Sequence, residues 1–517
     1  MFVLLLTHGY PVALFPTLLL AYFAILMFIG WRTSGKSDND TFFRGNRNSP
    51  WYLVAFGMIG ASLSGVTFLS IPGTVGPQGM SYMQMVLGYF LGYLVISHVL
   101  LPLYYKLNLT SIYTYLQDRL GGNAYKTGAL YFLLSRSIGS ALRLYLVAVV
   151  MQVFISTPLG ISFTTTVLIT LVLIWLYSFR GGIKTLVYTD TLQTFFMLTA
   201  LALSLYFIAK QFKIEEAQSL FHAVQKSDFS RWWVWNPKAP DYFWKHFLGG
   251  MFITIVMTGL DQDMMQKNLT CRNVHESRKN MYWMSSLLIP VNFLFLLLGA
   301  FLYLFGESNG YITPVLSAFS EPSILFHDLS GSSEIIKTDQ LFPYMAAYYL
   351  PPIAGVCFFI GLVAAAYSTA DSALTSLTTS FCVDFLGFGP QKGSKRIRRA
   401  VHLGFTAFLF LIILIFSELN SQAVINELFK IAGYTYGPLL GMFSFGIITR
   451  YNVKNRWVPW VCIAAPILSF ILDLNSQSWF WGYKFGFELL ILNGLITFAG
   501  LILIQTTKTK YYVNRRR

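Results

Sequence analysis

The chain has 517 residues, of which 55% are hydrophobic, 17% aromatic and only 11% charged, with a mean hydropathy of +0.56. That composition excludes a water-soluble globular protein, and apolar runs long enough to cross a bilayer recur from end to end, defining an all-α polytopic membrane protein. The net charge of +15 sits in short connections between the spans, so it sets membrane orientation and does not point to nucleic acid.

Thirteen spans are predicted, at roughly 10–31, 50–70, 79–103, 127–156, 161–179, 187–209, 244–266, 281–305, 343–383, 400–418, 424–449, 457–473 and 485–505. The first lacks a basic leader and a small-residue cleavage site, so it reads as retained. The ninth is longer than one crossing requires, and the Pro351-Pro352 pair predicts a bent start to it. With the N-terminus outside, inner connections hold 26 of the 37 Lys and Arg and outer ones 8. That asymmetry predicts an outside N-terminus and a cytoplasmic C-terminus in the plasma membrane, or the inner membrane of a bacterium. Of the long outer segments, 210–243 is Trp-rich and reads as an interfacial cap, while 306–342 is acidic and polar and reads as a lid. The basic run 392–399 reads as an inside anchor. The four cysteines are scattered and give no disulfide or metal framework.

The second span carries Ser62, Ser64, Gly65 and Thr67 at mid-membrane and then Pro72-Gly73, which predicts an interrupted helix whose freed backbone groups line a protected cavity or bind an ion. A Gly/Ser packing face with a proline stop explains the same residues. Gln84, in the third span, either binds a solute or bridges helices. In the fourth, Arg136 and Arg143 share a face; an intramembrane arginine needs a carboxylate, carbonyls or an anionic ligand, and Asp190 and Asp371 are candidate partners.

Gly181-Gly182 makes a tight turn into the sixth span, and Asp190 follows beside Thr189 and Thr191, either as a helix-start cap or as a functional carboxylate. The seventh span ends Gly259-Leu-Asp-Gln-Asp-Met-Met-Gln-Lys267. Asp261, Gln262 and Gln266 suit a gate or salt bridge there, and Asp263 is predicted to pair with Lys267 at i+4. In the ninth, Ser368, Thr369, Asp371 and Ser372 share one helical face, followed by Thr375 and Ser376. Packing explains the hydroxyls but leaves a carboxylate in the membrane, where it is expensive and usually functional. Hydroxyls beside a carboxylate suit a small hard cation.

Nucleotide-binding loops, HExxH and clustered histidines are missing from the sequence, so an enzyme is not predicted. The stretches 60–73, 180–193, 259–267 and 341–372, in this order among thirteen spans, resemble the sodium/solute symporter family, which includes sodium–proline, sodium–glucose, sodium–iodide and sodium–sialic acid transporters. The resemblance implies a LeuT-type core of five plus five helices in inverted repeat, at roughly 50–209 and 244–449, with peripheral helices at 10–31, 457–473 and 485–505, all in one transporter domain. It implies one Na+ held by carbonyls of Gly60, Leu63 and Ala365 and hydroxyls of Ser368 and Thr369. Some members of that family have a second Na+ site one turn further along, whose counterparts here are Asp190, Ser368, Asp371 and Ser372. Ser62 stands where the sodium–proline branch has an aspartate, and Asp371 stands where a serine can occur, so Asp190 and Asp371 would flank one cation or share one proton. By position, Ser64, Thr67, Gln84, Arg143, Asp261 and Gln262 are the candidate solute contacts.

The expected activity is sodium-coupled import of a small polar organic solute or anion by alternating access, with the lipid bilayer and the solute as partners and no obligatory protein partner. The alternatives are proton coupling on the same fold and a non-transporting membrane sensor. The short segment after the last span argues against a fused signalling domain.

Overall fold

The computed structural model describes residues 14–34, 38–157, 159–211, 222, 224–315, 323–328, 331–419 and 424–508. The start of the first predicted span, much of the first half of the Trp-rich segment, parts of the acidic segment and the basic residues after 508 lie outside the described residues.

Apolar helices run in chain order as α1 (Leu14–Ser34), α2 (Trp51–Gln78), α3 (Tyr82–Lys106), α4 (Gly122–Met151), α5 (Phe163–Phe179), α6 (Gly182–Gln211), α7 (Phe243–Gly259), α8 (Gln262–Asn268) and α9 (Val274–Ser308). Then follow α10 (Leu341–Tyr348), α11 (Pro352–Phe385), α12 (Lys395–Glu418), α13 (Lys430–Ile448), α14 (Asn455–Leu474) and α15 (Leu489–Leu503). Among the described residues ten of these are long and apolar enough to cross a membrane, α7 with α8 forms a further span bent by 68°, and α5 and α15 are shorter apolar helices.

The bend expected at Pro351-Pro352 is present: α10 ends at Tyr348 and α11 starts at Pro352, where a proline costs nothing because the first helical N–H has no partner anyway. The proline stop expected at Pro72 is absent, and α2 continues to Gln78 through Pro72 and Pro77. Pro77 cannot donate to the carbonyl of Gly73, and Tyr303 on α9 supplies that bond from its hydroxyl at 2.9 Å. Neighbouring helices therefore carry α2 past a local breaker. Its interruption lies earlier, at Ser64.

The α2 and α11 helices form the buried centre, while α12 and α14 keep large apolar faces exposed, as lipid-facing helices do. The acidic segment contains a three-stranded antiparallel sheet, β1 (Ile312–Val315), β2 (Ser323–His327) and β3 (Ser333–Lys337), paired in that order. A turn at Thr338–Gln340 follows and presses on α2 so closely that a Cβ on Gly73 would lie 2.2 Å from the Thr338 carbonyl. In the Trp-rich segment, Trp232 stacks on Phe293 at 5.8 Å, and Trp235 is 61% exposed, consistent with an interfacial position. One member of the basic run departs from its expected role: Arg398 is 1% exposed, donates to Asn39 Oδ1 at 2.7 Å and lies over the Phe42 ring. It ties α12 to the segment before α2.

Candidate functional site: a broken helix beside a buried charge cluster

Ser64 has φ +41° and ψ 170°, so α2 loses helical geometry at mid-span on a residue with a side chain. Such a conformation is costly for a non-glycine residue and persists where the surroundings hold it. The last turn before a break has carbonyl groups without regular partners, and here that turn contains Gly60 and Leu63. Around the break lies a cavity of about 100 Å³, whose lining includes Ser62, Ser64, Thr67, Arg143, Thr258 and Asn292 together with Tyr82, Tyr89 and Tyr93. Arg143 also borders a second small chamber against Tyr436. Its Nε has no hydrogen-bond partner, and it forms no ion pair among the described residues.

Arg136, on the same face of α4, is neutralised. It bonds Asp263 and lies 4.0 Å from Asp261 Oδ2. Asp261 also accepts the Tyr436 hydroxyl at 2.6 Å and caps α8 through the N–H of Asp263 at 2.9 Å. Pairing of Arg136 with Asp190 or Asp371 is therefore not what forms, and neither is the i+4 pair of Asp263 with Lys267. Asp263 and Lys267 both lie on α8, and each has a buried partner on another helix, Arg136 on α4 and Asp190 on α6, so tertiary partners win over the local one.

Lys267 instead reaches α6, with its Nζ 2.7 Å from Asp190 Oδ2; both residues are almost fully buried. Asp190 is not a helix-start cap, because α6 begins at Gly182, two turns earlier. Its other oxygen accepts Ser368 Oγ at 3.3 Å and, with the Gln193 amide in its satisfied orientation, that nitrogen at 3.1 Å. Asp371 accepts the Tyr177 hydroxyl at 2.7 Å on one oxygen, while its other oxygen, Ser372 Oγ and Thr375 Oγ1 are buried without hydrogen-bond partners.

Glycines let the break sit against this cluster. A Cβ on Gly60 would meet Thr194 Oγ1 at 2.1 Å; instead the Gly60 N–H donates to that oxygen at 3.1 Å, and the Thr194 hydroxyl in turn donates to the Asp190 carbonyl at 2.8 Å. A Cβ on Gly65 would stand 3.9 Å from the Ala366 backbone, so the residue after the break abuts α11. Thr369 Oγ1 donates to the Ala365 carbonyl at 3.1 Å, which keeps these two oxygens together on α11. Gly60 on α2 and Ser368 on α11 thus both touch α6, at Thr194 and Asp190. Among the described residues, no group of three or more His, Cys, Asp and Glu side chains could hold a metal ion.

Three candidate solute contacts lie outside the cavity lining. Gln84 donates to the carbonyls of Ser81 and Asp241 and accepts the Val234 N–H at 3.2 Å, which clamps the Trp-rich segment to α3. Gln262 accepts the Ile112 N–H and donates to the Thr110 carbonyl, both at 2.9 Å. Asp261 is held as described. Gln266, expected at a gate or salt bridge, donates to the Phe43 carbonyl at 2.9 Å and to Thr379 Oγ1 at 3.0 Å. Lys267, Tyr177, Thr194 and Tyr436 were not singled out as site residues from sequence, because a cytoplasmic-looking lysine, one tyrosine among 30 or one more threonine carries no local signal.

The family model described as sodium:solute symporter family matches residues 42–453. The sodium/sialic acid symporter NanT of Aliivibrio fischeri is 23% identical over 93% of this chain and 92% of its own length. The human sodium/iodide cotransporter is 23% identical over 84% of this chain, which spans 65% of that protein. Sodium-coupled monocarboxylate transporter 1 of Mus musculus is 25% identical over 84% of this chain and 69% of its own length. Among solved structures, a Na+-coupled sialic acid symporter in a substrate-bound outward-open state superposes with TM-score 0.75 at 20% identity, covering 95% of this chain and 97% of its own. Mhp1, a nucleobase-cation-symport-1 family transporter, gives TM-score 0.52 at 14% identity, covering 91% of this chain and 95% of its own. The fold is LeuT-like.

Proposed function

This chain belongs to the sodium:solute symporter family, and from that premise we propose that it imports a small organic anion together with sodium by alternating access. The observation that carries the solute class is Arg143: a guanidinium on the cavity wall, with an unpartnered Nε and no carboxylate partner among the described residues. A cation inside the membrane needs a counter-charge, and the planar guanidinium matches a carboxylate bidentately. Ser64, Thr67 and Asn292 on the same wall suit the hydroxyl and carbonyl groups of a polar solute. Several relatives are named for acids or for an anion, in keeping with this.

Sodium is a co-transported substrate here. Its ligands are the carbonyls of Gly60, Leu63 and Ala365 and the hydroxyls of Ser368 and Thr369, a hard and neutral set suited to a small monovalent cation. Bound there, sodium bridges α2 and α11 and favours the state whose cavity opens outward; coupling requires that difference in affinity between states, since equal affinity shifts nothing.

Two repeats, 50–209 and 244–449, form the core, with 10–31, 457–473 and 485–505 peripheral. In support, the two interrupted elements, α2 and the bent α7–α8 pair, each begin one repeat, as discontinuous helices do in inverted-repeat transporters. The N-terminus faces outside and the C-terminus the cytoplasm of a plasma membrane, on the excess of Lys and Arg in the inner connections.

Heat stability of the purified chain, screened against small carboxylates with and without sodium, tests the proposal. The expected result is stabilisation by a carboxylate that needs sodium and is lost in Arg143→Gln. Stabilisation by neutral solutes alone, unchanged in that variant, contradicts the solute class. Uptake into proteoliposomes driven by a pH gradient without sodium contradicts sodium coupling.

A further inference from the structure

We infer that the chain binds one anionic phospholipid in a second cavity, on the side of the membrane where the Trp-rich segment lies, with the lipid phosphate held by Lys245 and Lys238. This cavity, of about 470 Å³, opens between the start of α7 and the connection from α14 to α15. It shares no lining residue with the cavity around Ser64. Its wall carries both lysines, Glu488 and the aromatic rings of Trp244, Trp481 and Tyr483.

The charges on that wall do not balance. Lys245 is 7% exposed, and its ammonium donates to the Lys484 carbonyl at 3.2 Å and lies 3.9 Å from the centre of the Tyr483 ring. An ammonium has three donors, so donor capacity is left over. Glu488 does not neutralise it at hydrogen-bond range: its Oε1 is 4.0 Å away and already accepts the Tyr483 hydroxyl at 2.7 Å and the Gly486 N–H at 3.0 Å. A buried cation held this loosely favours a further anion. Lys238, on the rim, is exposed and forms no ion pair among the described residues. Two ammonium groups and one carboxylate leave a single positive charge in excess, the complement of one phosphodiester.

The shape of the wall selects a lipid over a free phosphate. Trp481 is 93% exposed and Trp244 48%, and tryptophan takes such exposed positions at the headgroup level of a bilayer. Ile491 lines the cavity from α15, and one turn further along that helix Leu495 is 61% exposed. An apolar track therefore leaves the charged end and follows α15 into the bilayer. A headgroup with its acyl chains uses both parts, whereas a free phosphate uses only the lysines. Because α7 supplies Trp244 and Lys245 and the residues leading into α15 supply Tyr483 and Glu488, the lipid ties these two helices together.

Native mass spectrometry of the full-length chain, delipidated in detergent and titrated with phosphatidylglycerol or phosphatidylcholine, tests this. One phosphatidylglycerol per chain is expected at concentrations where phosphatidylcholine, whose quaternary ammonium cancels the phosphate charge, does not bind. Lys238→Gln, on the exposed rim, is expected to weaken that binding about fivefold, the effect of one lysine near a membrane surface. Lys245→Met is expected to abolish it, and Glu488→Gln, which keeps an acceptor oxygen but removes the negative charge, to strengthen it. Equal retention of the two lipids overturns the inference, and so does phosphatidylglycerol binding that is undiminished in Lys238→Gln and in a folded Lys245→Met chain. Displacement of the bound lipid by inorganic phosphate overturns the lipid as the ligand.

Discussion

Removing the guanidinium of Arg136 should destabilise the protein more than removing its carboxylate partner. Arg136 is 5% exposed, Asp263 1% and Asp261 0%, so Arg136→Met leaves two carboxylates at one buried spot. Asp261 keeps the Tyr436 hydroxyl and one backbone N–H, whereas Asp263 loses its ion-pair partner. Breaking a buried pair by deleting one member costs about 3–5 kcal/mol, chiefly because the remaining charge is uncompensated. Asp263→Asn in the Arg136→Met background removes that charge and should recover more than half of the loss. The assay is the half-life of monodisperse protein at a fixed elevated temperature, compared across wild type, both single variants and the double, because membrane-protein unfolding is rarely reversible. The cycle isolates the coupling between the two residues. An Arg136→Met protein as long-lived as wild type, or a double variant no better than Arg136→Met, would refute this reasoning.

Two further substitutions separate packing from transport. Gly60→Ala drives a methyl group into Thr194 Oγ1 and should cost about 1–3 kcal/mol by overpacking, with part of the loss recovered by Thr194→Ala; heat-stability midpoints read both. Gln84→Ala leaves the Val234 N–H and the Asp241 carbonyl unpaired, for about 1–3 kcal/mol of stability, and should leave the KM for solute unchanged, whereas Arg143→Gln should raise it.

The spans were legible because bilayer thickness imposes long apolar runs, and composition alone distinguishes those from a soluble core. The bend before Pro352 was legible for a similarly local reason. What misled was locality itself. Pro72 looks like a stop, yet α2 continues, and the carbonyl that Pro77 leaves unserved is bonded by Tyr303, some 230 residues away in sequence. Asp263 and Lys267 have the right spacing for a helix pair, yet each pairs across a helix interface, with Arg136 and Asp190. Gln84 and Gln262 look like solute ligands because polar residues in membranes are costly, and both spend their amides on backbone groups of irregular segments. In a membrane every buried polar group must find a partner, and sequence identifies the need before it identifies the partner. The break in α2 was legible because Ser62, Ser64, Gly65 and Thr67 stand together at mid-membrane, and it falls among them, at Ser64.

Sodium held between the turn ending at Leu63 and the Ser368–Thr369 pair is most directly tested by cation-dependent heat stability of the purified chain. A ligand that binds the folded state stabilises it by about 2.7 kcal/mol at a hundred times its Kd. Saturable stabilisation by sodium but not by potassium is predicted, with most of it lost in Ser368→Ala and in Thr369→Ala. Equal stabilisation by both cations, unchanged in the two variants, would contradict it.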